Sequence, residues 1–484
     1  MTATTTQNAA PRDRRWIALA VLCMGVFMIV IDTTVVTVAL PSIKSDLGFD
    51  QTTLAWVINA YMLTFGGFLL LGGRLGDLYG HRRWFLIGIA IFTLASLACG
   101  CATSQTFLIA ARAIQGVGGA VVTAVALSLI MDLFPEADER AKAMGIYSFI
   151  CAGGGSVGEV LGGVLTSTLT WHSIFLINIP IGAAVIVYAL RVVPEGRVQT
   201  TPTQLDIAGA VTVTSSLLLA VYAIMHGGEA GWMSPSTLGL LASSIALFAA
   251  FIAIESRVPA PLMPLGLFRL RNLAIANAIG MLWVAAMFGW FFLSALYMQL
   301  VLGYNPAQVG FAFLPADLIM AAFSLGWSAK IVMRFGIRTP VVVGLLLATV
   351  GLALFARAPI DGIFVVDILP AMVLLGLGAG VAFNPVLLAA TNDVAPSESG
   401  LASGIVNTSF MLGGALGLAA LASLAAAHTA DLVANHAEQL SALRGGYSAA
   451  FVISAVFAAI AAALATLLRV PAGNGATVAE SAAS

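Results

Sequence analysis

Apolar stretches of about twenty residues recur along the whole chain, separated by short segments rich in charged residues, Pro and Gly. A helix that crosses a bilayer needs roughly 20 mainly apolar residues, so each stretch predicts one membrane span. The first stretch is longer than the apolar core of a signal peptide, which favours a retained span. The pattern predicts fourteen spans, at residues 16–40, 52–72, 84–103, 106–131, 142–165, 172–190, 205–226, 236–254, 273–300, 307–329, 340–357, 364–390, 399–425 and 447–469.

The basic residues favour one orientation of these spans. Cytoplasmic loops of membrane proteins carry an excess of Lys and Arg. With the N-terminus in the cytoplasm, the 21 Lys and Arg residues fall in cytoplasmic segments, except for Lys44, Arg357 and Arg444 in outer loops and Arg112 within the fourth span. We therefore expect both termini in the cytoplasm.

Composition excludes a soluble protein. The 484 residues are 60% hydrophobic and 9% charged, whereas soluble domains carry about 25% charged residues. Cys23, Cys99, Cys101 and Cys151 lie in or beside apolar runs without metal-ligand spacing, so we interpret them as small core residues and expect no metal site. The sequence has no Gly-x-x-x-x-Gly-Lys-Ser/Thr loop for nucleotides. We therefore expect a proton gradient as the energy source and no cofactor.

A weak internal repeat relates two parts of the chain. Gly80 and Gly336 both follow an aromatic residue in the loops after the second and tenth spans. The stretch Gln115-Gly-Val-Gly-Gly119 corresponds to Leu375-Gly-Leu-Gly-Ala379 at nearly the same separation. Parallel repeats with a site at their interface are typical of transporters.

These patterns together predict an all-α integral membrane protein of 14 transmembrane helices, with two parallel six-helix bundles, an inserted helix pair and cytoplasmic termini. The expected segments are a cytoplasmic N-terminal tail at 1–15, an N-terminal six-helix bundle at 16–190, a linker with inserted helices 7 and 8 at 191–272, a C-terminal six-helix bundle at 273–470 and a flexible C-terminal tail at 471–484.

Six motifs occur in order along the chain. They are DTTVVTVALP at 32–41, WVINAY at 56–61, GGRLGDLYGHRRW at 72–84, ARAIQGVGG at 111–119, CAGGGSVGEVLGGVL at 151–165 and GIVNTSFMLGGALG at 404–417. The loop motif resembles the signature of the major facilitator superfamily, and the others resemble its fourteen-helix drug:proton antiporter branch. This resemblance covers nearly the whole chain and implies export of lipophilic, often cationic compounds in exchange for protons.

The sequence departs from the family pattern at three places. His81 stands where the loop signature has its first basic residue. Glu159 stands where the signature of the fifth span has Pro after Gly158. Phe410 and Met411 stand where the thirteenth span often carries a polar pair.

Two charged residues in the first and fourth spans suggest function, because a charge at mid-bilayer costs several kcal/mol and usually faces a cavity or a partner. Asp32 lies roughly 24 Å along the first helix from Trp16 at about 1.5 Å per residue. We expect Asp32 to bind a proton or a cationic substrate; the alternative is a hydrogen bond to Thr33 or Thr34. Arg112 is expected to couple protons by pairing reversibly with an acid; the alternative is a permanent ion pair or a carbonyl contact.

Two further acids lie in apolar spans. Glu159 is the only Asp, Glu, Lys or Arg between Lys142 and Arg191. It suits a proton carrier or an acid that meets a cationic drug; the alternative is a permanently protonated side chain bonded to a carbonyl. Asp317 could widen the preference for cations, or could cap carbonyls that Pro315 leaves free.

Two softer groups of residues complete the candidate site. Asp77 at the membrane edge suggests a gating latch that pairs with basic residues in one state, although the basic residues could act only as orientation signals. The gating loop comprises Gly73, Arg74, Asp77, Gly80, Arg82 and Arg83. Aromatic and amide side chains could line a cavity for lipophilic cations, or could only pack. These candidates are Trp56, Asn59, Tyr61, Trp290, Asn384 and Asn407.

The sequence therefore predicts a proton-coupled antiporter, not an enzyme, that exports lipophilic, mainly cationic drugs by alternating access. We expect a multi-pass monomer of the inner (plasma) membrane whose partners are small lipophilic or cationic substrates, protons and the bilayer, without nucleic acid. One alternative is a dedicated exporter of a single endogenous metabolite, antibiotic, lipid or siderophore. A remote alternative is an integral-membrane enzyme.

Overall fold

The computed structural model describes residues 12–50, 52–195, 206–259, 261–391, 394 and 399–469. The predicted tail at 1–15 lies outside this part except for residues 12–15, and the predicted tail at 471–484 lies wholly outside it. The α-helices of the described residues are α1 (Arg12–Leu47), α2 (Trp56–Tyr79), α3 (His81–Gly100), α4 (Gln105–Leu133), α5 (Ala137–Thr168), α6 (Ser173–Leu176), α7 (Asn178–Val192), α8 (Ile207–Ala230), α9 (Pro235–Glu255), α10 (Arg271–Leu300), α11 (Pro306–Ala322), α12 (Ser328–Phe335), α13 (Arg338–Phe355), α14 (Leu369–Thr391), α15 (Ser399–Ala434) and α16 (Gln439–Ala465).

Thirteen helical segments of the described residues are long and apolar enough to cross a membrane. The predicted tenth span corresponds to the shorter apolar helix α11, which continues through a π-turn at Phe323–Trp327 into α12. A π-turn leaves backbone groups of the helix without their usual partners. Here Asn384 Nδ2 on α14 donates to the Ser324 carbonyl oxygen at 2.9 Å. The prediction of an all-helical membrane protein is confirmed, while the count of fourteen spans and the cytoplasmic termini stay predictions.

Glycines with a left-handed backbone end the helices at the two aligned loop positions. Gly80 has φ 97° at the end of α2, and Gly336 has φ 72° at the end of α12. A β-carbon disfavours this conformation, so glycine is needed at both places. A glycine with positive φ therefore ends the helix at both aligned positions.

Small residues also allow matching helix crossings in the two parts of the chain. A β-carbon on Gly118 of α4 would lie 3.0 Å from the carbonyl oxygen of Gly88 on α3. A β-carbon on Gly344 of α13 would lie 2.7 Å from the carbonyl oxygen of Gly378 on α14. Such contacts let membrane helices approach backbone to backbone, and they fix α3 on α4 and α13 on α14.

Helix α8 contacts helices from both parts of the chain. A β-carbon on Gly67 of α2 would meet the Thr214 hydroxyl of α8. Ser423 Oγ on α15 donates to the Ile224 carbonyl oxygen of α8 at 3.4 Å. Helix α9 in turn packs on α8, whereas most of its residues are exposed at the protein surface. Helices α8 and α9 therefore cover the contact between α2 and α15.

Candidate functional site

A buried polar network inside the first group of helices is centred on Asp32. This residue of α1 is 0% exposed, and its Oδ2 accepts a hydrogen bond from Nη1 of Arg112 on α4 at 2.6 Å. Its Oδ1 accepts hydrogen bonds at 2.8 Å from the amides of Gln115 and Asn178. Both amides also contact Ser96 Oγ at 2.8 Å. Four helices, α1, α3, α4 and α7, therefore meet at one charged centre.

The guanidinium of Arg112 is surrounded by hydrogen-bond acceptors and aromatic rings. Its Nε donates to the Val57 carbonyl oxygen at 3.0 Å, and its Nη1 also donates to Gln115 Oε1 at 2.7 Å. Its central carbon lies 4.4 Å from the ring centroid of Tyr61 and 5.6 Å from that of Phe175. These distances are within the range of cation–π attraction. A carboxylate, two polar oxygens and two aromatic rings thus compensate the buried positive charge.

The geometry of the network bears on the alternatives for Asp32 and Arg112. The hydroxyls of Thr33 and Thr34 donate to backbone carbonyls of α1 and not to Asp32. Arg112 forms both an ion pair and a carbonyl contact. Asp32 is sealed among protein groups in this conformation and does not line an open cavity. The part of either residue in proton coupling stays a prediction.

Three members of this network were missed by the sequence reasoning. Ser96, Gln115 and Asn178 are neutral, so a search for charges in apolar spans passes over them. A signal existed for Gln115, because residues three apart lie on the same face of a helix and Arg112 is its neighbour. Ser96 and Asn178 offer only their polarity within an apolar span.

A second acidic site lies between α5 and α11, helices from the two predicted halves. Glu159 is 2% exposed and Asp317 is 4% exposed. Their carboxyl groups lie side by side, and the Ser156 side chain lies next to Asp317. In the part of the chain that the structure describes, Glu159 Oε2 and Asp317 Oδ2 have no hydrogen-bond partner. No basic side chain there forms an ion pair with either acid.

Backbone contacts next to this pair, toward the C-terminal end of α5 and the N-terminal end of α11, hold the two helices together. A β-carbon on Gly310 would lie 2.4 Å from the Glu159 carbonyl oxygen, and one on Gly163 would lie 2.5 Å from the Pro306 carbonyl oxygen. We call this contact surface, which comprises Glu159, Gly163, Pro306, Gly310 and Asp317, the α5–α11 seam. Because the helices touch directly, the two acids are shielded from solvent.

The gating loop holds a histidine between two carboxylates. Nε2 of His81 lies 3.1 Å from Asp77 Oδ1, and its Nδ1 lies 3.2 Å from Asp132 Oδ2. Only the imidazolium form has an N–H on both ring nitrogens, so two facing carboxylates favour the charged form. His81 therefore links the ends of α2, α3 and α4 through its contacts with Asp77 and Asp132. It does so at the position where the family signature has a basic residue.

The other basic residues of this loop behave differently. Arg82 donates to the Leu190 carbonyl oxygen and has an exposed ion pair with Glu195 at 3.6 Å. Arg74 is half-buried and Arg83 is exposed. Asp77 thus pairs with the histidine in this conformation and with neither Arg82 nor Arg83. The gating role of the loop stays a prediction.

The predicted aromatic lining is packed inside the protein. Tyr61 and Trp290 are each 1% exposed. Trp290 meets Phe313 edge to face with ring centroids 5.7 Å apart, and Tyr61 lies against Arg112. Trp56 is partly buried.

The three predicted amide residues have three different environments. Asn59 is 0% exposed, and neither of its side-chain polar atoms has a partner among the described residues. Asn384 bonds to the π-turn through Ser324. Asn407 is exposed, and its Nδ2 donates to the Ser403 carbonyl oxygen of its own helix at 3.0 Å. Their place in a substrate cavity stays a prediction.

Comparison with known proteins gives close relatives over most of the chain. The chain is 39% identical over 459 residues to the cephamycin export protein CmcT of Amycolatopsis lactamdurans, covering 93% of this chain and 92% of the relative. It is 38% identical over 450 residues to the puromycin resistance protein pur8 of Streptomyces alboniger, covering 93% and 89%.

A solved structure shares the fold. It is the crystal structure of a bacterial homologue of the human lysosomal transporter Spinster in an inward-facing, unoccupied conformation. The TM-score is 0.65 at 19% sequence identity, with 95% of this chain and 98% of that chain covered.

The family model of the Major Facilitator Superfamily matches residues 22–418. This match and the relatives confirm the predicted resemblance, a transporter and not an enzyme, and a multi-pass membrane location. The chain belongs to the Major Facilitator Superfamily.

Proposed function

We propose that this protein is a proton-coupled antiporter that exports lipophilic, mainly cationic small molecules across the cell membrane by alternating access. The observation that carries the proposal is the Glu159–Asp317 contact. These two acids lie in apolar helices from both predicted halves, without a basic partner among the described residues. Burying an acid at such depth in the membrane costs free energy, so its presence indicates a function. Exchange of a proton is the function that fits a transporter. The names of CmcT and pur8, an export protein and a resistance protein, support the outward direction.

The mechanism follows from where each charge lies. The two halves rock about their interface, so that a central site faces the cytoplasm and the exterior in turn. Deprotonated carboxylates at the α5–α11 seam attract a cation from the cytoplasmic side. Protons from outside displace the cation, and the neutral acids then return through the membrane core at lower cost. Each proton that moves down 100 mV supplies about 2.3 kcal/mol.

Within this mechanism we assign Asp32 and Arg112 a supporting role. Their contacts all lie within α1, α2, α3, α4, α6 and α7, so the network keeps the N-terminal helices together as one body. Removing one partner of a buried ion pair leaves an uncompensated charge in the interior. The pair is therefore suited to hold the body rigid while it moves.

A second candidate is a dedicated exporter of one endogenous compound. The names of CmcT and pur8 favour it, because each refers to a single antibiotic. A panel of cationic, neutral and anionic compounds separates the candidates: transport of several unrelated cations supports the broad exporter, and transport of one compound class supports the dedicated one.

The test is proton flux in acid-loaded proteoliposomes with a pH dye in the lumen. Ethidium or a quaternary ammonium compound is added outside, because a permanent cation carries no proton across by itself. We expect alkalinisation of the lumen that depends on both substrate and protein, and its loss in Glu159→Gln. The matched control is Glu255→Gln, a buried acid of α9 away from the seam, which should retain the flux. Folded, inserted protein that gives no flux with any compound of the panel would contradict proton antiport.

A further inference from the structure

We infer that Glu159 and Asp317 share a single proton across the two halves, and that loss of this proton opens the α5–α11 seam. The inference deepens the proposed function and rests on it, because it assigns the exchanged proton to one site. It also explains how binding of a proton changes the conformation.

The first argument is the chemistry of the contact. Two ionised carboxylates have only acceptor atoms, so a hydrogen bond between them requires a proton on one of the two. Paired carboxyl groups in one site titrate as a unit, because like charges in contact cannot both ionise easily. The closed seam, in which the two buried acids lie side by side, is therefore the conformation that a pair holding one proton favours.

The second argument is the position of the pair. Glu159 belongs to α5 and Asp317 to α11, and the adjacent glycine contacts at Gly310 and Gly163 bring the two backbones together beside the pair. A further contact between the two helices lies farther along the seam, where Ala307 N donates to Ser167 Oγ at 3.1 Å. This hydrogen bond does not depend on the protonation of the acids. When the shared proton leaves, two negative charges face each other between α5 and α11, and the repulsion acts directly on the two halves.

The third argument is that nearby groups do not neutralise the pair. Ser156, which lies next to Asp317, contributes a hydroxyl and no charge. Asp32 and Arg112, on the neighbouring helices α1 and α4, pair with each other. On α14, which packs against the other side of α11, the spanning residues are uncharged.

The other ionisable groups on the helices that pack against the pair also lie away from it. Tyr147 and Cys151 of α5 lie beside each other, and Cys23 of α1 lies near them. Charged residues of α10, α5 and α1 nearer the helix ends, such as Arg271, have no contact with the pair. The charge state of the seam therefore depends on the two acids themselves.

The test measures the seam opening by double electron–electron resonance, without transport. Spin labels are placed at Leu169 and Phe311, which are 66% and 54% exposed near the ends of α5 and α11, in a background without the native cysteines. In liposomes without substrate, we expect a short distance at low pH and loss of most of this population at high pH. Glu159→Gln should keep the short distance at every pH, because an amide donates to Asp317 without a titrating proton.

The matched control is again Glu255→Gln, which should open with pH as the unmodified chain does. A distance that does not change with pH in the unmodified chain, or a pH response that persists in Glu159→Gln, would overturn the shared proton. Substrate-driven proton flux together with a pH-independent distance overturns this inference alone. A pH-dependent distance without flux for any substrate overturns the proposed function instead.

Discussion

Asp32→Asn tests the energetic role of the buried ion pair. The asparagine oxygen can still accept the two amide hydrogen bonds from Gln115 and Asn178, so the change removes mainly the negative charge. Arg112, which is 1% exposed, then lacks a counter-charge and faces an amide donor. Breaking a buried pair in this way costs about 3–5 kcal/mol. We expect a loss of this size in the free energy of unfolding.

The assay is reversible unfolding in mixed micelles with increasing SDS, followed by circular dichroism. The matched comparison is the double variant with Arg112→Gln, in which neither charge remains. Since the two side chains are in contact, their effects should not add, and the double variant should lose less than the sum of the single variants. Additive losses would refute the claim that the pair is energetically coupled.

The same variant also separates structural from substrate roles. Because Asp32 is sealed among protein groups, Asp32→Asn should reduce export of cationic and neutral compounds to the same extent. Initial export rates for matched cationic and neutral compounds provide the measurement. A selective loss for cations would instead show that Asp32 contacts substrate.

Two further predictions concern the gating loop and the seam. His81→Lys should retain export, since it restores the basic residue of the family signature and a positive charge beside Asp77. His81→Ala should lower the initial rate of export. Equal rates for both variants would argue against a role for the ion pair between residue 81 and Asp77. Gly310→Ala should abolish export in a folded protein, because its β-carbon would lie 2.4 Å from the Glu159 carbonyl oxygen. The control Gly155→Ala, with open space around the new β-carbon, should export normally. Similar export rates for these two variants would show that close contact at the seam is unnecessary.

The fold could be predicted from the sequence because its signals are local. Apolar length predicts each span, and Gly80 marks the end of α2 by a conformation that other residues rarely adopt. The span at 307–329 was harder to delimit, since the π-turn at Phe323–Trp327 depends on a hydrogen bond from Asn384 on another helix. Such a long-range partner leaves no local pattern.

The candidate site could be predicted only in part for the same reason. The depth of Asp32, Arg112, Glu159 and Asp317 singles them out, because charges in a membrane need an explanation. Their partners do not follow from spacing. Nothing local to either acid relates position 159 to position 317, and the pairing of Asp32 with Arg112 depends on how α1 crosses α4.

The position of α8 has a consequence for the direction in which the molecule can bend. Separating α2 from α15 would also break the contacts that α8 makes with both, such as Thr214 against Gly67 and Ile224 with Ser423. Separating α5 from α11 breaks the contacts of the seam, and α1 and α10 also link the two parts of the chain through the hydrogen bond from Gln299 Nε2 to the Val38 carbonyl oxygen at 2.9 Å. Helix α8 therefore opposes the separation of α2 from α15 along one flank of the molecule.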